Sequence, residues 1–294
     1  MITFSVGDRA SAGLIGEDHT AVALSDLVPG APPDMIEVIR RWDEVAPRLL
    51  DPDLRAVAGI SLDRVRLLAP IPRPARNVFC VGWNYAEHFA EGRGARSAAT
   101  PQTIPDHPAF FSKNPSTVVG PDADVRHPAP HSTELDWEVE LAVVIGRGGR
   151  DIPERSALEH VFGYTVANDV SVRDVQRRHG GQWFKGKNFD THCPLGPWIV
   201  TADEIPDPQV LAISSRVNGE TKQSSNTRHM VFSVARIVAE LSAGMALEPG
   251  DVILTGTPSG VGFARTPPEF LSAGDVMEME IEGIGALRNR VVAA

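Results

Sequence analysis

The chain has 294 residues, 42% of them hydrophobic and 22% charged, with a formal net charge of −10. That length allows a sizeable core and one small extra domain. The acidic balance argues against a nucleic-acid partner, and no apolar run approaches the ~18–20 residues that cross a bilayer. Only two cysteines occur, Cys80 and Cys193, which argues against a disulfide framework and fits a reducing cytoplasm.

In chain order, the opening Met1-Ile2-Thr3-Phe4-Ser5-Val6 lacks the basic start and long apolar core of a secretory leader. Residues 1–70 read as a small N-terminal domain, with a short strand, a Pro-Gly-Ala-Pro-Pro turn at 29–33 and a helix over 34–49. Pro70, Pro72 and Pro74 punctuate a junction, and residues 71–294 form the larger unit. Val78-Phe79-Cys80-Val81-Gly82 reads as a buried strand. The stretch from Glu91 to Pro108 is rich in Gly, Ser, Ala, Thr and Pro without periodicity, as expected of a loop or lid over a site.

A strand is expected over 135–146, then a helix from Asp151 to Phe162 with Pro153 in its first turn. Tyr164 to Asp169 is a further buried strand and 171–178 a short helix. The strongest helical pattern spans 228–243, with Val231, Val234, Ile237, Val238 and Leu241 on one face and Gly244 at its end. Strands dominate and seldom alternate with long helices, which favours an α+β fold over a parallel doubly wound sheet.

Within the 135–146 strand, Glu138 and Glu140 stand at i, i+2 and share a face with Ala142 and Val144. A face that turns from acidic to apolar is buried along its length, and two unpaired buried carboxylates cost several kcal/mol or take up protons. A bound cation relieves that cost; oxygen-only ligands suit Mg²⁺ or Mn²⁺, with Ca²⁺ also compatible. Glu278, Glu280 and Glu282 repeat the spacing near the C-terminus, but there the acidic face stays polar and reads as solvated.

Asp169, at the end of its strand, is either the cap of helix 171–178 or a third ligand beside the glutamate pair. His88 and Glu91, at i, i+3, are either a surface pair or an imidazole oriented for general-base work. Arg173, Gln176, Arg177, Arg178, Lys185 and Lys187 form a basic, amide-bearing patch suited to a substrate carboxylate. Solvated helix faces are the alternative for Arg177 and Arg178. Gly146-Arg147-Gly148-Gly149 reads as a tight turn, and Cys193, followed by Pro194, lacks a neighbour that would activate a thiolate.

Taken together, Val81 to His88, Leu135 to Gly146, Gly163 to Gln176, Lys185 to Thr191, Pro194 to Trp198 and Leu254 to Gly262 resemble the fumarylacetoacetate hydrolase family over roughly residues 72–292. The resemblance implies a strand-rich mixed β-roll, commonly dimeric, and a divalent metal held by Glu138, Glu140 and Asp169. It also implies His88 and Glu91 as a water-activating dyad, Lys187 as a catalytic cation, and Arg173, Gln176 and Thr257 as substrate contacts. Larger relatives of the fumarylacetoacetate-cleaving type add an upstream aspartate ligand and a different histidine position, neither of them assigned here; the likeness is greater to short bacterial acylpyruvate hydrolases and hydroxymuconate isomerase-like enzymes. The first expectation is therefore C–C cleavage of an acylpyruvate-type 2,4-dioxo acid in aromatic catabolism. Isomerisation of a hydroxymuconate-type diacid or decarboxylation of an oxaloacetate-type acid is the alternative, and non-catalytic diacid binding a remoter one. A cytoplasmic homodimer with a small oxo-acid substrate completes the expectation.

Overall fold

The strand Val139–Ile145 is buried on both faces, and its alternation explains the layering of the molecule. Leu141, Val143 and Ile145 point into one core, which they share with Met277, Met279 and Leu287. Ala142 and Val144 point into a second, shared with Leu24, Met35 and Ile39 of the N-terminal region. Full burial of each of the larger aliphatic side chains contributes about 1.5–3 kcal/mol. The structure is a computed structural model that describes residues 1–16, 18–51, 57–95 and 101–294.

Val139–Ile145 is the middle of a seven-stranded mixed sheet, in the order Ala109–Lys113, Val78–Gly82, Val252–Leu254, Val139–Ile145, Val161–Asn168, Cys193–Thr201, Val118–Val119. The 252–254 strand runs parallel to 78–82, and 118–119 parallel to 193–201, while the other neighbours are antiparallel. A second sheet holds Glu220–Asn226, Ala212–Val217, Val276–Ile281, Gly285–Val292 and Asp124–Arg126. A third, N-terminal sheet is built on Ile2–Val6 and Arg9–Ile15, flanked by short helices Met35–Arg40 and Trp42–Leu49. The chain is thus strand-rich α+β with curled mixed sheets.

Several expected elements differ in detail. The 34–49 helix is two helices broken at Arg41. The 135–146 strand is interrupted at Trp137-Glu138, because Asp136 accepts the Trp137 N–H and the Glu138 N–H goes to the Asn168 side chain instead of a ladder partner. Asp151–Phe162 is not an α-helix: a 3-10 turn covers Glu154–His160, and Val161-Phe162 belong to the next strand. The 228–243 helix begins later, at Val234, where the Ser233 hydroxyl caps the Arg236 N–H. Val231 precedes it and is exposed instead of core-facing. In the loop expected over 91–108, Gly92–Ala95 form a 3-10 turn, residues 96–100 lie outside the described residues, and 101–108 are irregular. Glu278 and Glu280 do face outward on their strand. Among the described residues no helix is long and apolar enough to cross a membrane.

Candidate active site

A two-residue ladder assembles the site. Leu135 and Asp136 pair antiparallel with Val172 and Ser171, and the Asp169 N–H donates to the Glu138 carbonyl at 2.9 Å. Val139 opposes Asn168 in the main sheet. The two strand ends are therefore direct neighbours, and Glu138, Glu140 and Asp169 each present an oxygen within 4.8 Å of the others. All three are buried. Asp169 does not cap the following helix, whose N-cap is Val172.

Two lysines and an arginine share this cluster. Lys187 Nζ bridges Glu138 Oε2 at 2.7 Å and Asp169 Oδ2 at 2.6 Å. Lys113, with no exposed surface, donates to Asp169 Oδ1 at 2.7 Å and to the carbonyls of Val170 and Lys187. Arg173 spans Asp136 through Nε and Glu138 through Nη1, both at 2.7 Å. Its Nη1 also donates to Gln176 Oε1, and its guanidinium lies 4.5 Å over the Phe263 ring. Among the described residues its Nη2, which is buried, has no hydrogen-bond partner.

Four buried carboxylates, Asp136, Glu138, Glu140 and Asp169, thus face three buried cations, Lys113, Arg173 and Lys187. The surplus negative charge falls on Glu140. Burial first, then the charges of Asp169 and Glu138, push its carboxyl well above the usual range, although the Gly256 N–H donates to it at 2.6 Å. At Glu138 burial works the same way, but Lys187 and Arg173 outweigh it and hold that carboxyl far below its ordinary value. Burial would lower the Lys187 ammonium; Asp169 and Glu138 overcome it and raise it. An all-oxygen, buried donor set with net negative charge is the chemistry a hard divalent cation takes, so the three carboxylates fit such an ion.

The dyad sits across a cavity of about 160 Å³. His88, on the helix Ala86–Glu91, places Nδ1 2.7 Å from Glu91 Oε1. The other Glu91 oxygen accepts the Gly260 N–H at 2.8 Å. In the neutral ring a carboxylate acceptor at Nδ1 assigns the proton there, and Nε2 then carries the lone pair a general base needs. Glu87 accepts from the Ser259 hydroxyl, so the helix is stapled twice to the 259–260 turn. The cavity is lined by His88, Glu138, Glu140, Arg173, Gln176, Lys187 and Thr257, with Arg177 at its edge. Val81, Gly82, Trp83, Gly92, Phe111, Gly181, Trp183 and Phe263 complete the wall.

His88, Glu91, Glu138, Glu140, Asp169, Arg173, Gln176, Lys187 and Thr257 therefore lie on one cavity or beside it. Thr257 lines it with its hydroxyl engaged, donating to the Val139 carbonyl and accepting from Gln223. Arg178 and Lys185 lie outside it; Arg178 is exposed and pairs with Asp174, and Lys185 stacks on Phe189. Both cysteines are buried, and burial pushes the Cys193 thiol up to about 12, consistent with an inert role.

Sequence reasoning missed Lys113, Asp136, Gln223 and the aromatic wall. Asp136 was within reach, since it shares the strand face of Glu138. Its carboxylate also accepts the Gly262 and Phe263 N–H groups, tying the 260–263 turn to Arg173. Lys113 ends the strand Ala109–Lys113 after Ser112, where a lysine ordinarily marks the way out to solvent. Gln223 reads as one polar residue in the run Gln223-Ser224-Ser225-Asn226.

Residues 77–292 match the family described as fumarylacetoacetate (FAA) hydrolase C-terminal. The chain is 47% identical over 274 residues to the mitochondrial oxaloacetate tautomerase Fahd2a of Rattus norvegicus, covering 92% of this chain and 83% of that protein. It is 46% identical over 231 residues to the oxaloacetate tautomerase YisK of Bacillus subtilis, covering 79% and 74%. The solved fumarylacetoacetate hydrolase of Exiguobacterium antarcticum superposes with a TM-score of 0.85 at 43% identity, over 100% of this chain and 99% of that one. By its sequence and its strand-rich fold, the chain is a member of the fumarylacetoacetate hydrolase family.

Proposed function

We propose that the protein interconverts the keto and enol forms of a small 2-oxo diacid of the oxaloacetate type. The observation that carries this reading is a single histidine base, held in one tautomer by Glu91, facing a buried anionic cluster across a small cavity. Tautomerisation needs one base and consumes no water. His88 Nε2 takes a proton from the carbon next to the keto group, and the imidazolium returns it to the oxygen. Lys187 and Arg173 provide fixed positive charge for the oxyanion that forms between the two transfers. Gln176 and the free Nη2 of Arg173 offer donors to a substrate carboxylate. A divalent ion, Mg²⁺ or Mn²⁺, held by Glu138, Glu140 and Asp169 would supply Lewis-acid polarisation of the keto oxygen when bound.

Support for this order comes from the two curated relatives, whose names specify oxaloacetate tautomerases. Hydrolytic C–C cleavage, the first expectation from the sequence, becomes the second reading. It is favoured by the likeness to the Exiguobacterium protein, which is named a hydrolase, and would use the same histidine to activate water. A homodimer remains part of the proposal and is read from sedimentation equilibrium.

The deciding experiment follows decay of the oxaloacetate enol by ultraviolet absorbance, with purified protein and Mg²⁺ or Mn²⁺. The wild type is expected to accelerate decay well above buffer, and EDTA to abolish the acceleration until metal is restored. His88→Ala is expected to lose a factor of about 10²–10⁴. Enol decay at the buffer rate, alongside turnover of an acylpyruvate to two acids, would replace the tautomerase with the hydrolase.

A further inference from the structure

The cavity has two unlike sides. One is fixed by buried charge that cannot shift without leaving an ion unpaired. The other is aromatic, and its central piece is Trp183. This indole lies over Gly82, where a Cβ would fall 2.3 Å from Trp183 Cζ3 and 2.6 Å from Cη2. Only glycine leaves that niche. Two rings then clamp the indole edge-to-face: Trp83, with centroids 4.6 Å apart, and Phe111, at 5.2 Å. Trp83 is itself held at φ +58°, a left-handed conformation unfavourable for a bulky residue, and leans on Phe89 beside His88. Phe111 in turn lies 5.1 Å beneath the Lys187 ammonium.

A cavity of about 160 Å³ is well below the ~300–1,000 Å³ of clefts that hold drug-sized ligands. With the polar side immovable, the aromatic side decides what length of molecule fits. Resting on the small-diacid reading above, we propose that Trp183, seated in the niche left by Gly82, is the specificity-determining residue that sets the upper length of the substrate. Phe111 and Trp83 are positioning residues that hold the indole in place. A two-carbon extension of a four-carbon oxo diacid would have to displace this ring. A smaller side chain at 183 opens the cavity on that side without touching Glu138, Glu140, Asp169 or His88.

The test measures dissociation constants by titration calorimetry, with Mg²⁺-loaded protein and 2-oxo diacids of four, five and six carbons. In the wild type the six-carbon acid is expected to bind at least tenfold more weakly than the four-carbon acid. Trp183→Ala is expected to bring that ratio close to one, and Trp183→Phe to an intermediate value. If the alanine variant does not fold, Trp183→Leu and the phenylalanine variant carry the comparison. An unchanged ratio in the folded variants, or a wild-type ratio near one, would overturn the proposal. Binding is read independently of turnover. A wild type that discriminates by length but leaves the oxaloacetate enol at its buffer rate refutes the reaction and spares the wall. A wild type that turns over but does not discriminate refutes the wall alone.

Discussion

Lys113 shows how much one side chain outside the cavity lining can decide. Its ammonium is enclosed completely and makes three bonds, to Asp169 and to the carbonyls of Val170 and Lys187. Replacing it with methionine keeps the volume and leaves Asp169 short of one of its two cationic partners. We expect Lys113→Met to cost about 3–5 kcal/mol of stability, the usual result of breaking a buried pair from one side, read from urea denaturation at pH 7. At the dyad, Glu91→Gln removes the charge that orients His88 while preserving its shape. A fall in kcat of at least tenfold with little change in KM is the expected result in the enol assay. These two residues also mark the limit of legibility. Glu138 and Glu140 were readable because period-two alternation set acidic and apolar residues on one face, and His88-Glu91 because three positions separate them on a helix. Lys113 carries no such local pattern; its partners lie 56 and 74 residues away.

At the scale of elements, the 256–263 turn is what makes a site from separate strands. Its Gly256 N–H meets Glu140, its Gly260 N–H meets Glu91, and its Gly262 and Phe263 N–H groups meet Asp136. Gly260 stands at φ +107°, and a Cβ there would fall 2.2 Å from the Lys222 carbonyl. Gly260→Ala must therefore move the turn and release Glu91. The expected outcome is at least a tenfold loss of kcat with the far-ultraviolet circular dichroism unchanged; a variant with wild-type kcat would separate the turn from the dyad. Element type was largely legible from periodicity and turn residues, while boundaries were not. Ser233 captured the start of the 234–242 helix although the apolar pattern begins earlier, and Asn168 diverted the Glu138 N–H and split an otherwise continuous strand. Both are side chain–backbone competitions that hydrophobic periodicity does not register.

For the whole molecule, His192 joins two sheets. It stacks on Phe189 and donates from Nε2 to the Arg126 carbonyl on the edge strand of the second sheet, and Nδ1 has no partner among the described residues. Burial lowers its pKa from 6.5 to about 3, only partly opposed by the bond to Arg126. The sign follows directly. Between these values the unfolded chain binds a proton that the folded chain refuses, so this contribution is constant above pH 6.5, shrinks as pH falls, and levels off below about 3. By pH 5 the loss is about 2 kcal/mol. His192→Phe should show a smaller drop than wild type in urea stability between pH 7 and pH 5, and equal drops would reject the assignment. The global architecture was legible through the ordered set of motifs between residues 72 and 292, whereas sharing of one core by the N-terminal helices and the main sheet was not. Periodicity shows that a face is buried; it does not say what covers it.

The three bonds of Lys113 have a further consequence. One ammonium closes stretches of chain contributed by the 109–113 strand, the 169–170 corner and the 184–187 turn. A chain with its strands aligned but that turn not yet seated would enclose a bare ion in an oily interior. Near-miss topologies are thus penalised by the electrostatics of this buried cluster, which makes one ammonium a check on the register of three stretches of chain.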